Sequence, residues 1–245
     1  MSQLKLEAAV AAEAPDCRYQ DKHSDPFSSH ARILRHVRAL PAGASVLDVG
    51  AATGMLGRAL RGAGLRLTAL EPNPAWADAA RPWYDRVLCT TVEATPDALL
   101  ADHDAVVCAD VLEHLADPLA VLRRLVSLQA PHTRVIVSVP NVANLVIRLQ
   151  LLAGRFDYAD RGILDRTHLR FFTARTLVAL CRDAGLAIDQ LEVTPLPLPL
   201  VFPAFGHPLA MRTIYRLLDG VSQRLPRLLG YQFVLVARPR PGTLR

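Results

Sequence analysis

The chain has 245 residues, 51% of them hydrophobic, so it can bury one substantial core and is not a disordered tail. Its four cysteines, Cys17, Cys89, Cys108 and Cys181, lack CxxC spacing, which argues against a disulfide framework or a zinc site and suits a reducing cytoplasm. The net charge of +5 is a C-terminal feature, because residues 212–245 hold seven Arg against one Asp.

Residues 1–27 carry mixed charges and no long apolar run. They read as a flexible N-terminal segment, neither signal peptide nor anchor. Residues 28–245 read as one domain. SSHARILRHVRAL gives a leading helix with Ser28 or Ser29 as its cap, ended by Pro41 and Gly43. SVLDVG is then a short strand running into a glycine-containing turn, and GMLGRALRGAG a helix. The alternation repeats: strand 65–71, helix PAWADAARPW, strand 86–91, strand 104–110, helix LADPLAVLRRLVSLQ, strand 133–140. Five strands separated by helical segments predict a mostly parallel sheet covered on both faces.

Beyond Pro140 lies a cap segment, 141–172, with a helix ending at Gly154 and a polar loop reading LDRTHLRFF over 164–172. Thr173 is placed to cap the next helix. LAIDQLEV (186–193) and YQFVLVARP (231–239) predict two late strands pairing antiparallel at the sheet edge. An insertion over 194–230 separates them. Residues 194–211 contain no Asp, Glu, Lys or Arg, yet Pro195, Pro197, Pro199, Pro203 and Pro208 rule out a spanning helix. After it, Met211, Ile214, Leu218, Val221 and Leu225 share one helical face. Packing of that stripe onto the core is the expectation, with a basic amphipathic contact on a membrane surface as the alternative.

The strongest chemical signal is VLDVGAATG, residues 46–54, where the first strand meets the first crossover helix. Glycines there let backbone approach a ligand at the carboxyl end of a parallel sheet. Glu71 ends the second strand, where an acid can accept from both hydroxyls of a ribose. A GxGxxG fingerprint would need glycine at Ala52 and Met55, so a nicotinamide site fails twice.

The stretch resembles motif I of class I S-adenosylmethionine-dependent methyltransferases, with Asp48, Gly50 and Gly54 matching and Ala52 standing where the middle glycine falls. ADVLEHLADP (109–118) resembles the same superfamily's segment after strand four, and Glu71-Pro72-Asn73 its ribose-binding segment. The resemblance implies a Rossmann-like, doubly wound, seven-stranded α/β sheet with an antiparallel last strand, and S-adenosyl-L-methionine as cofactor. It places Asp48 near the methionine end or orienting the loop, and has Gly50 and Gly54 admit the ligand. Ala52 and Asn73 join the cofactor set, Glu71 holds the ribose, and Glu93 lies in the adenine segment. Asp110 and Leu112 follow strand four beside the cofactor.

Methyl transfer to oxygen needs the hydroxyl proton removed by a base or a metal. GRFDYADRGILDRTHLRFFTARTL resembles methyltransferase-domain proteins of polysaccharide and glycolipid pathways, and its TH with a nearby aromatic resembles ubiquinone-biosynthesis O-methyltransferases. His168 is therefore the leading base, with Asp165, Glu113 and His114 beside it. The run Asp110-x-x-Glu113-His114 also resembles the ExxEH element of metal-dependent small-RNA 2′-O-methyltransferases, making a divalent cation a candidate with His168 as fourth ligand. The expected acceptor is a sugar, lipid-linked glycan or other small metabolite hydroxyl, in the cytoplasm or at its membrane surface. RNA, suggested by the C-terminal arginines, is the disfavoured enzymatic alternative. A catalytically silent binding module, suggested by Ala52, is the other.

Overall fold

The computed structural model describes residues 25–197 and 208–241, with no side-chain description for 208–212. The expected N-terminal segment and the middle of the proline-rich run therefore fall largely outside the described residues. Seven strands form one sheet in the order β3-β2-β1-β4-β5-β7-β6. They are β1 (Ser45–Val49), β2 (Arg66–Leu70), β3 (Arg86–Leu88), β4 (Ala105–Ala109), β5 (Arg134–Pro140), β6 (Leu186–Val193) and β7 (Gln232–Pro239). The helices in chain order are α1 (Ser29–Arg38), α2 (Met55–Leu60), α3 (Pro74–Ala80), α4 (Asp97–Leu100), α5 (Pro118–Ser127), α6 (Leu145–Leu152), α7 (Ala174–Asp183), α8 (Pro208–Arg224) and α9 (Pro226–Leu229).

The first five strands run parallel, and β7 is antiparallel to both β5 and β6. Their residues alternate between two cores. Leu47, Val106 and Val137 pack with α5 and α7 on one face, while Val46, Val107 and Ile136 pack with α1 and α2 on the other. Burying each such side chain is worth about 1.5–3 kcal/mol, which is why these strands read as continuous apolar runs. Sequence-encoded caps set the helix starts: Ser28 Oγ accepts from Ala31 N, Asn73 Oδ1 from Ala75 N, Asp117 from Ala120 N, and Thr173 with Thr176 forms a reciprocal capping box.

Two expectations change. The antiparallel pair of β6 and β7 lies at the sheet edge as expected, and β7 is its inner member, between β5 and β6. Its sequence explains this: β7 is buried along nearly its whole length, whereas β6 exposes Asp189 and Gln190. The strand expected over 86–91 stops at Leu88, where Thr90 N turns back to Leu88 O at 3.0 Å. The second change concerns α8, whose expected stripe is not packed inward: Ile214, Val221 and Leu225 are exposed and Leu218 is half-buried, Met211 lying outside the described side chains, while Tyr215 and Ser222 are buried.

An ion-pair network sets that orientation. Arg32 on α1, buried, donates to Glu192 of β6 at 2.9 Å and pairs with Asp219 of α8. Arg35 and His36 also bond Glu192, and Gln223 donates to Val193 O at 2.6 Å. Burial alone would raise the Glu192 pKa, but the bonds from His36, Arg35 and Arg32 outweigh it and hold the carboxyl at about 2. Leaving one member of such a pair uncompensated costs about 3–5 kcal/mol, so the face carrying Asp219 and Gln223 is held against α1 and β6.

Candidate functional site

β1 and β4 lie side by side, and their crossovers leave in opposite directions across the sheet, opening a crevice at the carboxyl ends of the strands. A cavity of about 710 Å³ fills it, within the range of small-ligand sites. Its walls come from the loop after β1, the tips of β2 and β4, the Thr90–Glu93 turn, and Asp165 with Thr167.

The loop after β1 is pinned to β2, with Gly50 N and Ala51 N both donating to Leu70 O. Gly50, Ala52 and Gly54 all have positive φ, the alanine at 47°. Ala52 therefore sits in the left-handed region that its methyl group disfavours. Its N–H donates to Glu71 Oε2 at 2.8 Å, and Asn73 N donates to Glu71 Oε1 at 2.9 Å. Glu71 thus clamps the loop. Each carboxylate oxygen keeps a second lone-pair direction, enough for the two hydroxyls of a ribose. Replacing Ala52 by Gly should relieve about 1 kcal/mol of backbone strain and raise the melting temperature by roughly 2–4 °C in a thermal scan.

The glycines have packing reasons of their own. A Cβ on Gly50 would lie 2.7 Å from Val111 Cγ2, and one on Gly54 would lie 2.8 Å from Trp83 Cδ1 and 3.0 Å from Ala80 Cα. Gly54 does not line the cavity; its clearance admits the end of α3 and the turn after it. Asp48 does line it, and its buried carboxylate accepts from the Tyr84 hydroxyl, which itself accepts from Gly57 N at 3.0 Å. Burial raises the Asp48 carboxyl to about 7, against the Tyr84 bond and with a further push from the Glu71 charge.

Glu93 lies on the wall with Thr90, Thr91 and Val92. This turn is held by Arg124 of α5, which donates to Val92 O at 2.6 Å, Glu93 O at 2.9 Å and Thr95 O at 2.6 Å. Sequence reasoning missed Arg124; an arginine on the polar side of α5 carries no local signal of that task. Asn73 faces α3, which it caps, and Leu112 is fully buried in the core. Neither is on the cavity wall, where Val111 stands instead.

Asp110 lines the cavity with φ 56°, but its carboxylate is engaged: Oδ1 accepts from Ser138 Oγ at 2.5 Å and Oδ2 from Gln232 Nε2 at 2.9 Å. The residues whose ligand atoms lie close enough together to hold a metal are Glu113, His114 and His168, a group that does not include Asp110. One ligand atom from each lies within 4.8 Å of the others. Leu112–His114 form a 3-10 turn, which carries Glu113 inward and His114 to the wall. Glu113 is 1% exposed and neither carboxyl oxygen has a hydrogen-bond partner. Burial, with the charges of Asp110 and Asp165, holds its pKa well above the ordinary carboxyl value.

The LDRTHLRFF loop is tied to the same turn, because Leu169 N and Arg170 N both donate to Glu113 O, at 2.8 and 3.0 Å. Asp165 accepts from Thr167 N and Thr167 Oγ1, at 2.8 and 2.7 Å, folding the loop so that both residues reach the wall. His168, the base expected from sequence, stands behind it, its ring edge-on to His114 at 4.9 Å. His114 Nδ1 lies 3.2 Å from Thr167 O and His168 Nδ1 lies 3.1 Å from Ile163 O. A carbonyl can only accept, so both Nδ1 atoms carry hydrogen and both Nε2 atoms hold the ring lone pair. Burial, reinforced by His114, lowers the His168 pKa and keeps that ring neutral at pH 7.

Residues 22–191 match a family model described as a methyltransferase domain. A ubiquinone biosynthesis O-methyltransferase of Xanthomonas axonopodis pv. citri (strain 306) is 30% identical over 163 residues, covering 63% of this chain and 67% of that protein. One from Azotobacter vinelandii (strain DJ / ATCC BAA-1303) is 31% identical over 167 residues, covering 65% and 70%. The chain thus spans about two thirds of the length of these relatives. Among solved structures, magnesium protoporphyrin IX methyltransferase from Synechocystis PCC 6803 with bound S-adenosylhomocysteine superposes with a TM-score of 0.56 at 16% identity, covering 97% of this chain and 94% of that one. The N-methyltransferase NodS from Bradyrhizobium japonicum WM9, also with S-adenosylhomocysteine, gives a TM-score of 0.57 at 17% identity, covering 96% and 97%. At these identities the two superpositions establish the fold.

Proposed function

Because the chain belongs to the methyltransferase-domain family of S-adenosylmethionine-dependent enzymes, we propose that it transfers the cofactor's methyl group to a hydroxyl oxygen presented at His114. The observation that carries this reading is that one cavity has both the Glu71 clamp and His114 on its walls. Glu71 takes the ribose, Asp48 the methionine ammonium, and the Arg124-held turn the adenine. S-adenosylmethionine held there would supply an electrophilic methyl group to an acceptor oxygen aligned with it, and His114 Nε2 would take the hydroxyl proton. That these relatives are O-methyltransferases supports oxygen as the acceptor atom.

The acceptor class we favour is a sugar, lipid-linked or other small-metabolite hydroxyl, acted on in the cytoplasm. The buried thiols of Cys108 and Cys181, both pushed up to about 12 by burial and unpaired, support a reducing compartment. A second reading rests on Glu113: its unpartnered, buried carboxyl beside two imidazoles suits a divalent cation held by Glu113, His114 and His168. Such a cation would lower the pKa of the acceptor hydroxyl.

Incubating the protein with methyl-labelled cofactor and a fractionated cell extract tests the reading. A labelled small-molecule ether is the expected product. Label in RNA would replace the acceptor class, and no label with micromolar cofactor binding absent would leave a silent module. The Asp48 carboxyl adds a pH signature: it is ionised above about pH 7 and protonated below. Cofactor affinity by calorimetry is expected to be roughly 10-fold weaker at pH 6 than at pH 8.

A further inference from the structure

The chain between β5 and α7 leaves the sheet and returns to the same place, since Val142 N donates to Phe172 O at 3.0 Å. The excursion holds on by a small cluster, Ile147, Ile163 and Leu164, packed with Val142, Phe171 and Tyr231. Everything else from Leu145 to Gly162 is exposed. Exposed residues of such a segment are ordinarily polar, yet here they include Leu149, Leu151, Leu152, Phe156 and Tyr158, joined by Leu169. Leu152 is 85% accessible and Leu169 59%. Exposed apolar side chains gathered in one segment, with Phe156 and Tyr158 packed edge-on, mark an interaction site.

Its charges say what kind. α6 contains no acid, and the two exposed acids of the excursion are both neutralised, Asp157 by Arg155 at 2.9 Å and Asp160 by Arg166 at 2.8 Å. Arg148, Arg161 and Arg170 have no acidic partner among the described residues; Arg148 donates to Ala143 O at 2.6 Å and Arg170 to Ala116 O at 3.1 Å, which leaves their charge in place. Arg227 of α9 lies alongside, its carbonyl accepting from Arg148. A second copy of this chain meeting the face across a two-fold axis would set these arginines against their own images. No helix among the described residues is long and apolar enough to cross a membrane.

From this combination we propose that the Leu145–Arg170 excursion is a docking surface for an anionic phospholipid bilayer, its leucines and aromatics entering the headgroup layer and its unpaired arginines meeting lipid phosphate. Its apolar residues all lie outside the 194–230 stretch singled out in the sequence, which adds only Arg227 at its margin. Leu169 is the next residue after His168, and Asp165 and Thr167 line the cavity, so docking brings the acceptor end of the cavity to the membrane.

Sedimentation with phosphatidylglycerol–phosphatidylcholine vesicles tests the proposal, beside vesicles of phosphatidylcholine alone. The protein is expected to co-sediment with the anionic vesicles, at least 10-fold more weakly with the neutral ones, and less as salt is raised. Leu149→Glu combined with Leu152→Glu should weaken binding by about 100-fold, roughly 10-fold per leucine, with calorimetric S-adenosylmethionine affinity unchanged. Wild-type protein left in the supernatant with anionic vesicles, or the double variant sedimenting equally well, overturns the proposal. So does light scattering that shows a wild-type dimer split by the double variant, which would make the face a contact between copies. Cofactor affinity is read separately, so failure here leaves the methyltransferase reading standing.

Discussion

Glu71→Ala is expected to weaken S-adenosylmethionine binding by about 100-fold or more, because two charge-assisted ribose bonds, each worth roughly 1.5–3 kcal/mol, disappear. The loss has a second component. Ala52 N and Asn73 N, now donating to Oε2 and Oε1, are left without their acceptor, and Ala52 is held at φ 47° by that bond. The loop is then free to relax toward negative φ and close the space the ribose uses. Glu71→Gln separates the components: its amide oxygen still accepts one backbone N–H, while its NH₂ faces the other. Gln is therefore expected to fall between wild type and Ala in calorimetric Kd, with both variants folded. An unchanged Kd in Glu71→Ala would remove the ribose assignment.

The positions legible in the sequence are those whose job is local. Asp48 lies at the carboxyl end of β1 and Glu71 just past that of the adjacent parallel strand β2, and strand-end position alone places both at the crevice. Caps such as Ser28 and Thr173 were legible for the same reason, since the partner N–H lies three residues away. What misled was anything settled by distant partners. The outward turn of α8 is decided by Arg32, 187 positions from Asp219. Asp110 carries the acid of a metal-binding pattern, but it bonds Ser138 and Gln232, on two other strands, and lies outside the Glu113, His114 and His168 group. A hydrophobic pattern or a motif spacing contains no term for such bonds.

Gly50 and Gly54 show how a motif glycine can serve two ends. Both were assigned to ligand clearance, both adopt positive φ, and Gly50 lines the cavity. The space a side chain would take belongs to Val111 and Trp83, so each glycine also lets neighbouring elements close on the motif and fix the cavity's walls.

His114→Ala is expected to lower single-turnover methyl transfer by about 10²–10⁴-fold, the range of a lost general base, with cofactor Kd unchanged. His168→Ala should cost less, on the order of 10-fold, because His168 is not on the wall and acts through its edge contact with the His114 ring. Its burial-lowered pKa keeps it neutral, so it does not repel a proton arriving on His114. The order of the two effects discriminates: a larger loss at His168 would restore it as the proton acceptor. Glu113→Gln adds the third arm. If Glu113 only packs behind the histidines as a neutral acid, the isosteric amide leaves turnover within about 10-fold. If it holds a cation, the same substitution, His114→Ala and His168→Ala would all lower bound metal together, measured by elemental analysis of purified protein.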